Sequence, residues 1–184
     1  MHFERGIKVP AERLPILIGR KGAIKSKIER EFGVKVSVDS RTCDVLVTTD
    51  DQQADLYLAT QFIEAIGKGF SPQRSAKLKE EGYALGTLEL RKYVKTKDGL
   101  SRIKGRLIGS NGIVRKNLEE LTGTEISIYG HYAAVIGDVQ GLKLALNALE
   151  ELASGKKHGG VYSRLQKVRS MNKRKGLELW EEQS

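Results

Sequence analysis

A glycine-containing pattern occurs twice in the sequence, and its residue types suit the binding of an anion. Residues 17–25 (LIGRKGAIK) reappear 90 positions later as residues 107–115 (LIGSNGIVR). Two glycines permit a tight turn and let the main chain approach a phosphate closely. The residues after each pair predict a helix, whose amino end favours an anion through its N–H groups and its dipole. Lys25 and Arg115 add a full positive charge one turn further on.

The repeat extends beyond the glycines without a gap. The same offset of 90 aligns Gly33 with Gly123, and residues 36–38 (VSV) with residues 126–128 (ISI). An ungapped register of this length indicates two copies of one domain. Because repeated units share one structure, the elements that position the two glycine loops should also repeat.

Each copy predicts the order β-α-α-β-β-α, which gives an α+β fold. Apolar residues at i, i+4 and i+8 predict a helix after each loop, and alternating apolar residues predict the following strands. In the first copy we expect Asp50 and Asp51 to cap the last helix. In the second copy we expect a turn at residues 97–99 before a helix over 101–108. The predicted divisions are residues 1–68 (first domain), 69–83 (helical linker), 84–155 (second domain) and 156–184 (basic helical tail).

Composition limits the classes of function. The 184 residues carry 32 Lys or Arg against 23 acidic residues, a net charge of +9, which favours a polyanionic partner. Cys43 is the single cysteine, so the chain has no disulfide framework, and the three scattered histidines do not form a zinc motif. Neither a signal-peptide pattern nor an apolar run of membrane-spanning length occurs, which predicts a cytoplasmic protein.

The extended pattern, with its short helix before the loop and its longer helix after it, resembles the KH family of single-stranded nucleic-acid binders. In that family a GxxG loop clamps about four nucleotides of backbone, with bases lying in an apolar groove. The element order resembles the type I, or eukaryotic-type, arrangement, a three-stranded antiparallel sheet backed by helices. The resemblance implies an RNA-binding surface, without metal or other cofactor, formed by Ile18, Gly19, Arg20, Lys21, Gly22, Lys25, Lys104, Arg106, Ile108, Gly109, Ser110, Asn111, Gly112, Arg115, Lys116 and Ile126.

The tandem arrangement, the basic composition and the tail that begins at Gly160 resemble the partner-of-Nob-one (Dim-two) family of small-subunit ribosome assembly factors, in its archaeal form. This resemblance implies a protein that clamps RNA near the 3′ end of small-subunit rRNA during rRNA processing. It also implies three partners: the rRNA 3′-end endonuclease, the rRNA dimethyltransferase and the alpha subunit of translation initiation factor two.

Two other functions remain compatible with the sequence. The chain could be a protein–protein adaptor that docks through its first domain, or a general RNA-turnover or regulatory RNA binder. An enzyme is not expected, because no phosphate-binding GxxxxGK[ST] motif and no catalytic dyad occurs. The family resemblance favours the second copy as the main RNA-binding site, whereas the charge of Arg20 and Lys21 favours the first; we expect the second.

The tail offers weaker candidates. Its basic residues include Lys156, Arg164 and Lys173-Arg174-Lys175, which predict phosphate contacts independent of sequence or a solvated face. Tyr162 and Trp180 are expected to hold the tail on the body rather than to stack on bases. His131 is expected to be an exposed turn residue.

Overall fold

The structure is a computed structural model that describes residues 2–181, with side chains to Arg174. The chain divides into two compact units, Met1–Leu85 and Gly86–Ser184. Each unit contains one three-stranded antiparallel sheet with helices, so the predicted α+β fold class and the order of elements in both copies are confirmed. In the part of the chain that is described, no helix combines the length and the apolar character needed to cross a membrane.

The first unit follows the predicted order of elements. They are β1 (Phe3–Lys8), α1 (Leu14–Ile18), α2 (Ala23–Phe32), β2 (Lys35–Asp39), β3 (Asp44–Thr49), α3 (Leu56–Gly67) and the short α4 (Pro72–Ser75). The sheet order is β1-β3-β2, with Val36 opposite Val47. The expected cap of α3 was wrong. Asp55 caps it by accepting the Leu58 N–H at 2.8 Å, while Asp51 closes the preceding turn on the Gln53 N–H.

The second unit repeats this order and adds a long final helix. Its first strand, β4 (Tyr83–Glu89), begins three residues before the boundary at Gly86. The elements that follow are α5 (Lys97–Ile108), α6 (Ile113–Thr122), β5 (Glu125–Tyr129), β6 (Tyr132–Asp138), α7 (Val139–Ala153) and α8 (His158–Glu181). The turn expected at residues 97–99 is instead the first turn of α5. The Thr96 hydroxyl accepts the Gly99 N–H at 3.1 Å, and this cap offsets the low helix propensity of Gly99.

The two cores share the 90-residue register. Leu17, Ile28, Val36 and Val45 are buried in the first unit, and Leu107, Leu118, Ile126 and Val135 are buried at the matching positions of the second. Each such side chain contributes roughly 1.5–3 kcal/mol relative to an exposed one. These cores fix the angle at which α1 meets α2, and α5 meets α6, and thereby hold the glycine loops between them.

The helix α8 packs on the second unit. Val161 and Leu165 are buried against its core, and Tyr162 lies against the same core. Arg164 donates a hydrogen bond to Glu151 of α7 at 3.0 Å, and Lys156 lies 3.4 Å from the same carboxylate. The expectation that Tyr162 holds the tail on the body agrees with this packing; the side chains of Lys175 and Trp180 lie outside the described residues.

Candidate nucleic-acid interface

The two glycine loops have nearly the same backbone. Gly19 has φ 73° and ψ 175°, and Gly109 has φ 72° and ψ 173°. The closing glycines, Gly22 and Gly112, are left-handed in both loops, with φ of 79° and 75°. Each loop is closed by one backbone hydrogen bond between its glycines, of 3.2 Å in the first and 3.1 Å in the second. One turn geometry is therefore built twice from different intervening residues.

The first glycine of each loop is required by packing. A Cβ on Gly19 would lie 2.5 Å from Cγ1 of Ile24, and a Cβ on Gly109 would lie 2.4 Å from Cγ2 of Val114. Since real Cβ atoms do not approach other atoms so closely, any side chain there would displace the helix that follows. This glycine lets the turn lie directly against the first turn of α2 or α6.

The second glycine of each loop faces open space. A Cβ on Gly22 would meet no atom within 4 Å, and one on Gly112 would meet only the Arg115 guanidinium at 3.9 Å. These glycines are also the N-caps of α2 and α6, and no side chain caps either helix. The outer surface of each turn therefore offers main chain at the positive end of a helix, where a phosphate can approach.

The residue before the second glycine differs between the loops and is left-handed in both. Lys21 has φ 52° and ψ 31°, and Asn111 has φ 52° and ψ 24°. Asparagine tolerates this conformation better than lysine does. Arg20, Lys21, Ser110 and Asn111 are all exposed, and their side chains have no hydrogen bond or ion pair to another described residue. Lys21 therefore keeps a strained backbone and an unpaired charge at the surface of the turn.

The cations one turn along each helix are partly neutralised. The Lys25 ammonium lies 3.7 Å from the Glu29 carboxylate, and the Arg115 guanidinium lies 3.6 Å from that of Glu119. Both carboxylates also accept a strand N–H, from Val36 at 2.9 Å and from Ile126 at 2.8 Å. Sequence reasoning missed this function of the two acids, although their alignment in the repeat was a signal of it.

The apolar residues of each groove, called here its apolar floor, differ from the sequence-based expectation. Ile126, which the resemblance placed at the RNA-binding surface, is 0% exposed and belongs to the core, and Val36 at the matching position is similarly buried at 3%. Other apolar residues of the loop-flanking helices and of the following strand are half-buried and so reach the surface. They are Ile18, Ile24 and Val38 in the first unit, and Ile108 and Ile128 in the second. The period of two along a strand places Val38 and Ile128 on the same face as the buried residues.

Arg106 has a structural role that the sequence did not reveal. Its guanidinium donates to the main-chain oxygens of Leu152 at 2.9 Å and Gly155 at 3.2 Å, at the carboxyl end of α7. Arg13 does the same for α3 in the first unit, through the Ile66 oxygen at 2.8 Å. These contacts turn Arg106 away from the loop. Lys104 is half-buried, Lys116 is exposed, and neither has an ion pair among the described residues.

The remaining candidates lie at the turn between β5 and β6 and in the tail. His131 is half-buried rather than exposed, with its ring 4.2 Å from that of Tyr132. Lys157, Lys173 and Arg174 of the tail are exposed, whereas Lys156 and Arg164 pair with Glu151. Among the described residues, no group of three or more His, Cys, Asp or Glu side chains is arranged to hold a metal ion.

Comparison with known proteins identifies the family. Residues 85–170 match a family model described as a eukaryotic-type KH domain (KH-domain type I), of the second PNO1 domain, and residues 4–56 match the KH domain. A KH domain-containing protein of Methanocaldococcus jannaschii is 36% identical over 97% of this chain and 79% of its own length. The chain belongs to the PNO1/Dim2 family of tandem KH-domain proteins. Solved archaeal structures agree: Dim2p of Pyrococcus horikoshii is 36% identical, with a TM-score of 0.83 over 90% of this chain and 99% of that one.

The same Pyrococcus protein and one further relative carry information on ligands. A crystal structure from Pyrococcus horikoshii contains its Dim2p together with the alpha subunit of initiation factor two and rRNA; that Dim2p is 35% identical, with a TM-score of 0.86 over 92% of this chain and 96% of that one. The RNA-binding protein pno-1 of Caenorhabditis elegans is 28% identical over 90% of this chain. This chain spans 62% of the length of that relative.

Proposed function

We propose that the chain binds single-stranded RNA as a small-subunit ribosome assembly factor, and that it does so without catalysis. The observation that carries this proposal is the repeated loop, in which an inner glycine packs on a helix while an outer glycine faces open space. The exposed main chain and the uncapped helix end suit a phosphate, and the half-buried isoleucines beside them suit bases. The chemistry of these groups is that of holding a strand, since none of them moves a proton or an electron.

A single strand fits this surface better than a duplex does. The floor beside each loop is apolar, and bases reach such a floor only when they are unpaired and can be splayed from their neighbours. The unpaired cations on and beside the loops, Arg20, Lys21, Lys104 and Lys116, then surround the backbone of the strand. The same arrangement in two units gives two binding grooves for a single chain.

The target that we propose is small-subunit rRNA near its 3′ end, bound in the cytoplasm during rRNA processing. The support comes from relatives: the Pyrococcus Dim2p crystallised with rRNA, and a Candida albicans relative that is a pre-rRNA-processing protein and is 27% identical over 92% of this chain. The alpha subunit of initiation factor two, present in the same crystal, is the proposed protein partner. The 3′-end endonuclease and the rRNA dimethyltransferase belong to the same proposal, by family resemblance.

Aspartate pairs placed in each loop test the proposal. The variants Arg20→Asp/Lys21→Asp and Ser110→Asp/Asn111→Asp put two negative charges where a phosphate would lie. They keep both glycines and a residue type that accepts the left-handed conformation. We expect each to lower affinity for a labelled rRNA 3′ fragment at least tenfold while the thermal midpoint holds. Unchanged affinity in both variants would refute the proposal, and equal binding of scrambled strands would favour a general RNA binder instead.

A further inference from the structure

One wall of the second groove carries positive charge that the first groove lacks. Between the first strand and the loop, residues 90–108 of the second unit contain seven Lys or Arg and one acidic residue, whereas the equivalent residues 9–18 of the first unit contain one of each. The helix that forms this wall is also longer: α5 has 12 residues and α1 has five. The difference in charge therefore lies in α5 and the residues just before it, outside the loop itself.

Part of this charge forms a stripe that ends at the groove. Lys97, Ser101 and Lys104 lie at i, i+4 and i+7 on α5, and the next position, i+11, is Ile108 of the apolar floor. Lys97 and Ser101 are exposed and Lys104 is half-buried, and neither lysine has an ion pair among the described residues. At a rise of about 1.5 Å per residue, the stripe covers about 10 Å of the helix, and Lys97 lies about 16 Å along the axis from Ile108.

The other flank of α5 is already occupied. Ile103 and Leu107 face the core, and Arg106 beyond them bonds to the carboxyl end of α7. The flank bearing Lys97 and Lys104 is therefore the one turned away from α7 and toward Ile108. In the first unit the segment before the loop (residues 11–18, AERLPILI) carries one cation, Arg13, which bonds to the Ile66 oxygen.

We propose that this stripe of Lys97, Ser101 and Lys104 binds the phosphates of nucleotides that lie beyond those held at the Gly109–Gly112 loop. The proposal rests on the proposed function and deepens it, since it assigns the second unit a longer RNA footprint than the first. The lysines act as point charges on the backbone, so the contacts are independent of base sequence. Ser101 between them offers a hydroxyl for a phosphate oxygen.

Strands of two lengths test the proposal on the full chain. The probes are labelled single strands of about five and about 12 nucleotides, a length near and a length well beyond the four-nucleotide KH site. We expect Lys97→Gln/Lys104→Gln to weaken binding of the longer strand roughly tenfold and to lower its salt slope by about 1.4, or about 0.7 for each lost phosphate contact. The control, Lys143→Gln, neutralises an exposed lysine of α7 and should leave both values unchanged.

The outcomes separate the stripe from the groove. If the wild-type chain binds both strands with equal affinity and slope, or if Lys97→Gln/Lys104→Gln binds the longer strand as the wild type does, the stripe is refuted and groove binding stands. If the wild-type chain binds neither strand, the proposed function is refuted. Extending the strand on its 5′ or its 3′ side shows which end crosses α5; a gain in affinity that Lys97→Gln/Lys104→Gln abolishes supports the stripe, and a gain that this variant keeps refutes it.

Discussion

The two units share a backbone but distribute their positive charge differently. In the first unit the unpaired cations, Arg20 and Lys21, lie on the loop itself, and the helix before the loop is short and apolar. In the second unit the loop residues are the neutral Ser110 and Asn111, and the cations lie along α5. Loop geometry is thus fixed by the core and the glycines, whereas the electrostatics of each groove are set by residues that the core leaves free.

This comparison separates two properties that a single domain would confound. A loop that keeps its shape with either basic or neutral intervening residues shows that the turn does not depend on its side chains. We therefore expect the difference in charge to set the affinity for a strand and the number of nucleotides contacted. The common loop geometry decides whether a strand is bound at all.

The largest effect should come from filling the space beside the inner glycine. In Gly109→Ala and Gly19→Ala the new Cβ collides with Val114 or Ile24 at a positive φ. We expect each substitution to lower the free energy of unfolding by about 3 kcal/mol, from backbone strain and overpacking together. Gly112→Ala, the matched control with open space around it, should cost only about 1 kcal/mol. Denaturant unfolding gives these values, and equal losses at Gly109 and Gly112 would contradict the packing argument.

Glu29 and Glu119 allow a test of whether Lys25 and Arg115 bind RNA more strongly once their ion pairs are removed. Glu29→Gln and Glu119→Gln keep an acceptor for the strand N–H but release Lys25 and Arg115 from their ion pairs. RNA affinity should rise roughly threefold, with a steeper salt slope, because each freed cation can meet a phosphate. The alanine variants should instead lose about 1.5 kcal/mol of stability, since the strand N–H loses its partner. Weaker RNA binding by the stable glutamine variants would show that the acids assist the site.

Exchanging the left-handed residues sharpens the comparison directly. Lys21→Asn should stabilise the first unit by about 0.5 kcal/mol, and Asn111→Lys should destabilise the second by a similar amount, because asparagine suits a φ of 52° better. Lys21→Asn should lower the affinity for RNA and reduce the salt slope by about 0.7. Asn111→Lys should raise the affinity and increase the salt slope by as much. Thermal melts measure the stability, and salt titrations measure the affinity for RNA. A variant in which stability and affinity change in the same direction would contradict this prediction.

The smallest effect concerns ion pairs within each unit, at Glu31 in the first and at Glu151 in the second. A hydrogen bond from Lys79 lowers the pKa of Glu31. Burial raises the pKa of Glu151, but the hydrogen bonds and charges of Arg164 and Lys156 outweigh burial and lower that pKa on balance. A carboxylate with a lowered folded-state pKa stabilises the fold above its unfolded-state value, near 4.5, and loses this as pH falls through the folded-state pKa. Because these pairs are partly exposed, Glu31→Gln and Glu151→Gln should each cost no more than about 0.5 kcal/mol at pH 7 and remove that part of the acid dependence.

Much of the fold could be predicted, because one repeat fixed the register of both cores. The misplaced starts of α3 and α5 have a common cause: short runs of Asp, Gly and Lys favour turns locally, and only the caps at Asp55 and Thr96 decide where a helix begins. The glycine loops were predicted in place. Ile126 and Arg106 were misassigned because sequence spacing gives the face of an element but not the depth of a residue on it, nor the partner across the core.

The central claim is that both glycine loops bind single-stranded RNA. Its most direct test is a titration of the isotope-labelled full chain with a short strand of the rRNA 3′ region, followed by backbone amide NMR. The amide signals of Gly19–Gly22 and Gly109–Gly112, with those of the first turns of α2 and α6, should shift first and furthest. Shifts confined to other surfaces, with both loops unmoved at saturating RNA, would contradict it.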